Sequence, residues 1–298
     1  MDSIFSIKKT YSEMKVIVIT PACNEELHLP ELIESMVNQT ILPSEWIIVD
    51  DGSLDNTSHV IKKAAINHNW IKYLRKEKSN LRAPGRSVIE TFYFGFNEID
   101  TLDYDVVIKL DADLVLPVNY LQTIANYFQK DPFLGICGGV CVIKNSNKKT
   151  IEKGTNLDHV RGAIKAYRKD CFESIGGLLH AMGWDTVDEH LARYNKWRVL
   201  VIPNLHVLHQ RATNKEFGFS KAAFRNGKML YSIRMDIFLL LGNCLKRCFK
   251  RPYFVLSIAM FMGYIFAFFT KQPKIVQPEL GKFIRKYRYN KILQRFSN

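Results

Sequence analysis

The 298-residue chain holds no Cys-x-x-Cys pair, and its six cysteines, at 23, 137, 141, 171, 244 and 248, keep no spacing that suits zinc. Nor do they form the even framework of a small disulfide-stapled domain, so reduced thiols in a cytosolic setting are expected. There is no Gly-x-Gly-x-x-Gly and no Gly-x-x-x-x-Gly-Lys-Ser/Thr, which disfavours phosphate cradles of the dinucleotide or NTPase kind. Met1 to Met14 lacks the apolar core of a signal peptide. No internal repeat or low-complexity tract is present. Acidic residues are scarce in one place only. Residues 1–210 carry 24 Lys+Arg against 26 Asp+Glu, whereas residues 211–298 carry 18 against 3. The whole positive surplus therefore sits in the last 88 residues, a pattern that suits nucleic acid or an anionic membrane.

What is abundant is apolar: 47% of the residues are hydrophobic, enough for one large α/β domain or two smaller ones. Val106-Val-Ile-Lys-Leu110 reads as a buried strand, and it ends in two carboxylates one residue apart, Asp111 and Asp113. Neighbouring like charges repel unless a cation or proton lies between them, so a hard divalent ion, Mg²⁺ or Mn²⁺, is one reading. A solvated turn is the other. Lys15–Thr20, Trp46–Asp50, Ile71–Leu74 and Leu134–Ile143 read as further strands. Helices are expected over Glu31–Val37, Ser87–Ile99 and Tyr120–Gln129, giving the alternation of a largely parallel sheet. Three of the strands end in polar pairs, Asn24/Glu25, Asp50/Asp51 and Asp111/Asp113, and parallel order would set those ends along one edge.

The ordered set Pro21-Ala-Cys-Asn-Glu-Glu26, Val49-Asp-Asp-Gly-Ser-Leu-Asp-Asn-Thr57 and Leu110-Asp-Ala-Asp113 resembles family 2 glycosyltransferases. Gly162–Phe172, Ile175-Gly-Gly177 and Gly183–Leu191 are similar to the family's acceptor-side and catalytic segments, so the likeness covers roughly residues 14 to 211. The resemblance implies a GT-A (Rossmann-like) α/β fold, with a mostly parallel central sheet flanked by helices. It also implies an inverting transfer from a nucleotide-diphosphate sugar, with UDP the expected nucleotide, to a glycan or lipid-linked hydroxyl. Carried over residue by residue, Pro21, Ala22, Asn24, Glu25, Asp50 and Asp51 would bind base and ribose, with Asp51 on the N3–H of a uracil-like ring. Asp111, Ala112 and Asp113 would lie at ribose and metal, with Asp111 and Asp113 as metal ligands. Arg82, Arg86 and Arg211 would meet the diphosphate. His209, or less so His206, could complete the metal site. Where relatives often read Glu-Asp, this chain has Trp184-Asp185, with Asp188-Glu189 a helical turn on. Asp185 is the expected base; Asp188 and Glu189 remain alternatives, and Trp184 is either a sugar platform or core.

From Pro252 to Thr270 no residue is charged, while Lys246, Arg247, Lys250 and Arg251 precede and Lys271, Lys274, Lys282, Arg285, Lys286 and Arg288 follow. The length allows a single span. Cationic flanks on both sides favour an in-plane or re-entrant helix on the cytoplasmic face of a membrane. A helical pair packed on the catalytic part is the remaining alternative. Nucleic acid is disfavoured as a partner, because the aromatic run is continuous instead of interleaved with cations. The expected division is a catalytic region, 1–211, and a basic, apolar, helical membrane-attachment region, 212–298. Transfer to a polyprenyl phosphate and a non-catalytic scaffold that binds sugar nucleotides are the alternative functions.

Overall fold

The computed structural model describes residues 14–77, 85–100, 102–145, 148–152, 156–211, 219–249 and 253–294. Four strands open the sheet: β1 (Val16–Ala22), β2 (Glu45–Asp51), β3 (Ile71–Lys76) and β4 (Val106–Leu110), all parallel in the order β3-β2-β1-β4. Helices α1 (Leu29–Val37), α2 (Thr57–Asn67) and α3 (Arg86–Phe96) make the crossovers. After β4 the pattern changes. A short β5 (Leu114–Val115), α4 (Tyr120–Lys130), β6 (Leu134–Asn145), β7 (Lys148–Ile151), β8 (Ile164–Arg168), α5 (Lys169–Ser174), α6 (Trp184–Tyr194) and β9 (Arg198–His209) complete the order β3-β2-β1-β4-β8-β6-β9-β5, with β7 beside β6.

The mostly parallel expectation needs correction. Of the eight pairings among the described residues, β4 with β8, β6 with β8, β5 with β9 and β6 with β7 are antiparallel. The sheet is mixed because β8 enters between β4 and β6 directly from the 156–163 segment, with no crossover helix to reverse its direction.

Alternation along β1 builds the core on both faces. Val16 and Val18 point into one cluster with Leu29, Leu32, Ile61, Tyr120 and Ile124. Ile17 and Ile19 point into the other, with Phe92, Tyr167, Phe172 and Trp184. The basic C-terminal stretch forms α7 (Phe219–Ser232), α8 (Ile237–Cys248), α9 (Val255–Phe269) and α10 (Pro278–Gln294). Their shared core includes Val187 of α6, so this module packs on the back of that helix. Helices α7 and α9 cross at backbone distance: a Cβ on Gly227 would stand 1.9 Å from the Met260 carbonyl oxygen, and one on Gly263 2.0 Å from that of Phe224. Among the described residues no helix is long and apolar enough to cross a membrane. At 1.5 Å per residue the 15 residues of α9 reach about 22 Å, short of the ~30 Å hydrocarbon layer.

Candidate active site

Parallel order does set the carboxyl ends of β1, β2 and β4 on one edge, with Ala22 beside Asp50 and Asp51 beside Lys76 in the ladder. The two turns that follow β1 and β2 are laced together. The Asn24 N–H donates to Ser53 Oγ (2.9 Å), the Glu25 N–H to Thr57 Oγ1 (2.7 Å), and the Leu54 N–H to Asn24 Oδ1 (2.9 Å). Asn24 has φ 56° and Gly52 φ 65°, backbone settings that asparagine and glycine tolerate best. Asp50 is fully buried and accepts from the Ser53 N–H (2.8 Å), Arg75 (2.9 Å) and Ser58. Its carboxylate holds the turn and offers no surface to a nucleotide, which corrects the expectation for Asp50. Asp51 sits at the turn's rim, paired with Lys76 at 3.1 Å. Arg86, largely exposed, makes a helical pair with Glu90 (2.7 Å) at the start of α3. Arg82 lies outside the described residues.

The cation-competent groups converge between β4, β5 and β9. Asp113 Oδ2 is 3.2 Å from His209 Nε2 and accepts from Arg211 Nε at 2.8 Å; Arg211 also pairs with Glu25, whose other oxygen is 3.1 Å from His28 Nδ1. Register explains the approach, since Leu114 of β5 pairs with His209 of β9. Burial would lower the His209 pKa, but its hydrogen bonds to Asp113 and Glu152 outweigh that and raise it to about 9. Burial next to Asp113 pushes Glu25 up to about 7, with Arg211 opposing. Asp111 does not join this group directly. It pairs with Lys109 and donates its backbone N–H to the Ala163 carbonyl (2.9 Å). Strand β9 continues through Pro203 to residue 209, which leaves His206 exposed and His209 buried beside Asp113.

The third group lies one step away. Gly162, next to Ala163, packs against Trp184 and Asp185: a Cβ there would meet Trp184 Cζ2 at 2.8 Å and Asp185 Cβ at 3.2 Å. Two consecutive residues thus touch both acidic regions. Lys109 and Lys165 stand over the Trp184 ring, 5.5 and 5.8 Å from its centroid. With 6% of its surface exposed, Trp184 is a core ring and not a sugar platform. Gly183 caps α6 at φ 85° with Met229 of α7 against it, and Asp185 lies in the first helical turn, where the helix dipole favours a carboxylate.

The three α6 carboxylates differ sharply. The Asp185 side chain is 33% exposed and 3.6 Å from His159 Nε2. Burial would raise its pKa, yet His159 and Lys165 hold it below the ordinary aspartate value. Asp188 is sealed: it accepts two bonds from Lys165 (2.8 and 2.9 Å) and one from the Tyr167 hydroxyl (2.5 Å). Glu189 is sealed as well, against the Val160 N–H (2.8 Å), Lys165 (3.2 Å), His159 (3.2 Å) and Arg193 (3.1 Å). A buried carboxylate with its partners filled cannot reach an incoming hydroxyl without leaving a charge stranded. Asp188 and Glu189 are therefore corrected from alternative bases to structural anions.

The glycosyl transferase family 2 model matches residues 17–178, more than half of the chain. The chain belongs to this family. Among curated relatives it is similar to the undecaprenyl-phosphate 4-deoxy-4-formamido-L-arabinose transferase of Proteus mirabilis, 37% identical over 109 residues that make up 35% of this chain and 30% of the relative. It is also similar to the O-antigen chain rhamnosyltransferase RfbN of Salmonella typhimurium, 25% identical over 55% of this chain and 56% of the relative. The chain thus spans between about a third and about half of these relatives. Among solved structures, the mannosyltransferase PcManGT from Pyrobaculum calidifontis in complex with GDP-Man and Mn²⁺ superposes with TM-score 0.58 at 15% identity, covering 95% of this chain and 81% of that one. S. aureus TarS 1-349 in complex with UDP-GlcNAc gives 0.57 at 17%, covering 75% and 68%. At such identities the likeness establishes the GT-A-like α/β fold. The family 2 match contains Asn24, Glu25, Asp51, Asp111 and Asp113, whereas Asp185, His209 and Arg211 lie beyond it.

Sequence reasoning missed four members of this family 2 site: Lys109, Glu152, His159 and Lys165. Two had a signal. A lysine inside Val106-Val-Ile-Lys-Leu110 or Ile164-Lys-Ala-Tyr167 is a charge in an apolar strand, tolerable only beside an acid.

Proposed function

We propose that this protein is an inverting, metal-dependent glycosyltransferase that moves a sugar from a nucleotide-diphosphate donor, a UDP-sugar by our reading, to a hydroxyl on a lipid-linked or glycan acceptor in cell-surface polysaccharide synthesis. The observation that carries this reading is the approach of the β4 end at Asp111 to Asp185 through Ala163 and Gly162, with the Asp113–His209 pair beginning two residues after Asp111. A carboxylate and an imidazole converging at 3.2 Å suit a divalent cation as a donor set, with Asp111 nearby. Mg²⁺ or Mn²⁺ held there would offset the charge gained by the leaving nucleoside diphosphate. PcManGT, solved with GDP-Man and Mn²⁺, supports the choice of cofactor, and TarS, solved with UDP-GlcNAc, supports the choice of donor.

The chain's own groups supply the remainder. Asp51, at the turn rim, accepts the N3–H of the base, while Pro21, Ala22, Asn24 and Glu25 wall the ribose. Arg211, already on Asp113 and Glu25, is within reach of a diphosphate placed between them. Asp185, ionised and solvent-reaching, takes the acceptor proton as the hydroxyl attacks the anomeric carbon. One displacement inverts the anomeric configuration.

The C-terminal module supports attachment to a membrane surface on the cytoplasmic side. Phe238, Leu241 and Leu245 make an exposed stripe on α8, and Ile258, Met262, Phe266 and Phe269 make one on α9. Lys246 and Arg247 end α8 and Lys271 follows α9, so apolar faces lie among cations, as an in-plane helix pair on anionic lipid requires. The division at residue 211 is the catalytic and attachment reading of the same chain. A second reading, transfer to a polyprenyl phosphate, is favoured by this apolar face and by the named activity of the Proteus mirabilis relative.

Incubation of the full chain with a panel of nucleotide sugars, Mn²⁺ and acceptors is expected to release nucleoside diphosphate, and Asp113→Ala to abolish release. Nucleotide binding without turnover across the panel would favour a scaffold instead. Organic extraction of product separates lipid phosphate from glycan acceptors. Flotation with anionic vesicles, lost in Ile258→Ser/Phe266→Ser, tests the attachment.

A further inference from the structure

Behind His209 lies a carboxylate that the proposed reaction has not used. Glu152 follows β7, and its backbone N–H donates to the Cys141 carbonyl (3.0 Å), which fixes it against β6. Its Oε2 stands 2.9 Å from His209 Nδ1, on the side of the ring opposite Asp113, and Arg161 approaches the same oxygen at 3.4 Å. Both side chains of the pair are sealed, with 4% and 6% exposure.

A neutral imidazole donates from one ring nitrogen and accepts at the other. A buried carboxylate on Nδ1 keeps a proton there, so Nε2, the nitrogen that faces Asp113, is the one a cation beside Asp113 would take as ligand. A carboxylate behind a ligating histidine fixes tautomer and ring orientation and raises the ligand's basicity. The geometry points to Glu152 as the residue that positions His209 for the divalent cation, touching neither cation nor donor. This inference rests on the proposed cation site at Asp113 and His209. The competing arrangement places a cation among Cys141, Glu152 and His209, whose ligand atoms lie within 4.8 Å of one another. The direction of the Nε2 atom toward Asp113, and the complete burial of Cys141, favour the first.

Mn²⁺ binding to the full chain, with uridine diphosphate present, is measured by the electron paramagnetic resonance signal of free Mn²⁺ at one fixed pH. Glu152→Ala is expected to weaken binding about 10- to 100-fold. Glu152→Gln, which keeps an acceptor but loses the charge, falls between wild type and Ala, at about threefold or more. Cys141→Ala leaves affinity unchanged. Thermal melts identify any variant that fails to fold, and if Glu152→Ala is one, the Gln variant carries the comparison. Wild-type affinity in the folded Glu152 variants would overturn the inference, as would an equal loss in Cys141→Ala. Should Asp113→Ala lose Mn²⁺ while the Glu152 variants keep it, only this inference falls. A wild-type chain that binds no Mn²⁺ sinks the cation site itself.

Discussion

Asp185 and Asp188 stand one helical turn apart on α6, and the structure assigns them opposite consequences. Asp185→Asn removes a proton acceptor whose side chain is one-third exposed and stands 3.6 Å from His159. A positioned general base contributes about 10²–10⁴ in rate, or about 3–5 kcal/mol at 1.36 kcal/mol per tenfold. Turnover is expected to fall by that factor with nucleotide binding retained, and Tm to fall only by the loss of one of the two acidic partners of His159. Asp188→Asn does the reverse. It takes the acceptor of two hydrogen bonds from Lys165, a lysine with no exposed surface, and weakens the partner of the buried Tyr167 hydroxyl. Breaking a buried pair from one side costs about 3–5 kcal/mol, on the order of 10 °C in Tm for a domain of this size. Nucleoside diphosphate release, calorimetric nucleotide binding and a thermal melt on the two variants decide the matter. If Asp185→Asn turns over at the wild-type rate, or Asp188→Asn keeps its Tm and loses turnover, the assignment of the base is wrong.

His159 supplies a pH signature. Burial would lower its pKa, but hydrogen bonds to Asp185 and Glu189 raise it to about 9, above the ordinary 6.5, so its stabilisation is complete below about pH 6.5 and is lost as pH rises through 9. The stability difference between wild type and His159→Gln in urea should shrink by on the order of 2–3 kcal/mol from pH 6 to pH 9.5, and a difference constant across that window would refute the pairing. Gly162→Ala places a methyl 2.8 Å from the Trp184 ring and 3.2 Å from Asp185 Cβ; overpacking of about 1–3 kcal/mol is expected, with kcat falling further than Tm predicts. Gly263→Leu drives a side chain into the Phe224 carbonyl at 2.0 Å, so α7 and α9 must part, and limited proteolysis should cut this module faster than in wild type.

The half of the sheet that the sequence made legible is the half with one rule. Val16–Ala22 and Glu45–Asp51 carry apolar runs with a helix after each, as buried parallel strands require, and Val106–Leu110 is an apolar run broken only by Lys109. Their ends fall on one edge for the same reason, which is why the polar pairs there could be read as a site. Strand β8 was hidden because Lys165 and Arg168 interrupt its apolar pattern, and its direction depends on partners far away in the chain. The extension of β9 was masked by Pro203 and Asn204, and with it the burial of His209. Which α6 carboxylate reaches solvent could not be read either. Spacing puts three acids on neighbouring turns, and partners from elsewhere in the chain, Lys165 and Tyr167 on Asp188 and Val160, His159 and Lys165 on Glu189, separate the sealed ones from the open one.

The pairing of charges around the strand ends has a consequence for how the site works. Asp51 faces Lys76, Asp111 faces Lys109, Asp113 faces His209 and Arg211, Glu25 faces Arg211, and Asp185 faces His159. Burial first, with the neighbouring Asp113 and Asp111 carboxylates adding to it, pushes Glu25 up to about 7. Against the pull of burial, His209 and Arg211 hold the Asp113 carboxyl, and His159 and Lys165 the Asp185 carboxyl, below the ordinary aspartate value, so these contacts are formed before any ligand arrives. The arrangement is asymmetric: Lys109 is buried between Asp111 and the Trp184 ring, whereas Arg211 is nearly half exposed. Entry of a divalent cation at Asp113 therefore has one inexpensive displacement available to it. On the proposed reading, Arg211 would swing from carboxylate to diphosphate and exchange one anionic partner for another, while Lys109 and His159 stay in place beside Asp111 and Asp185.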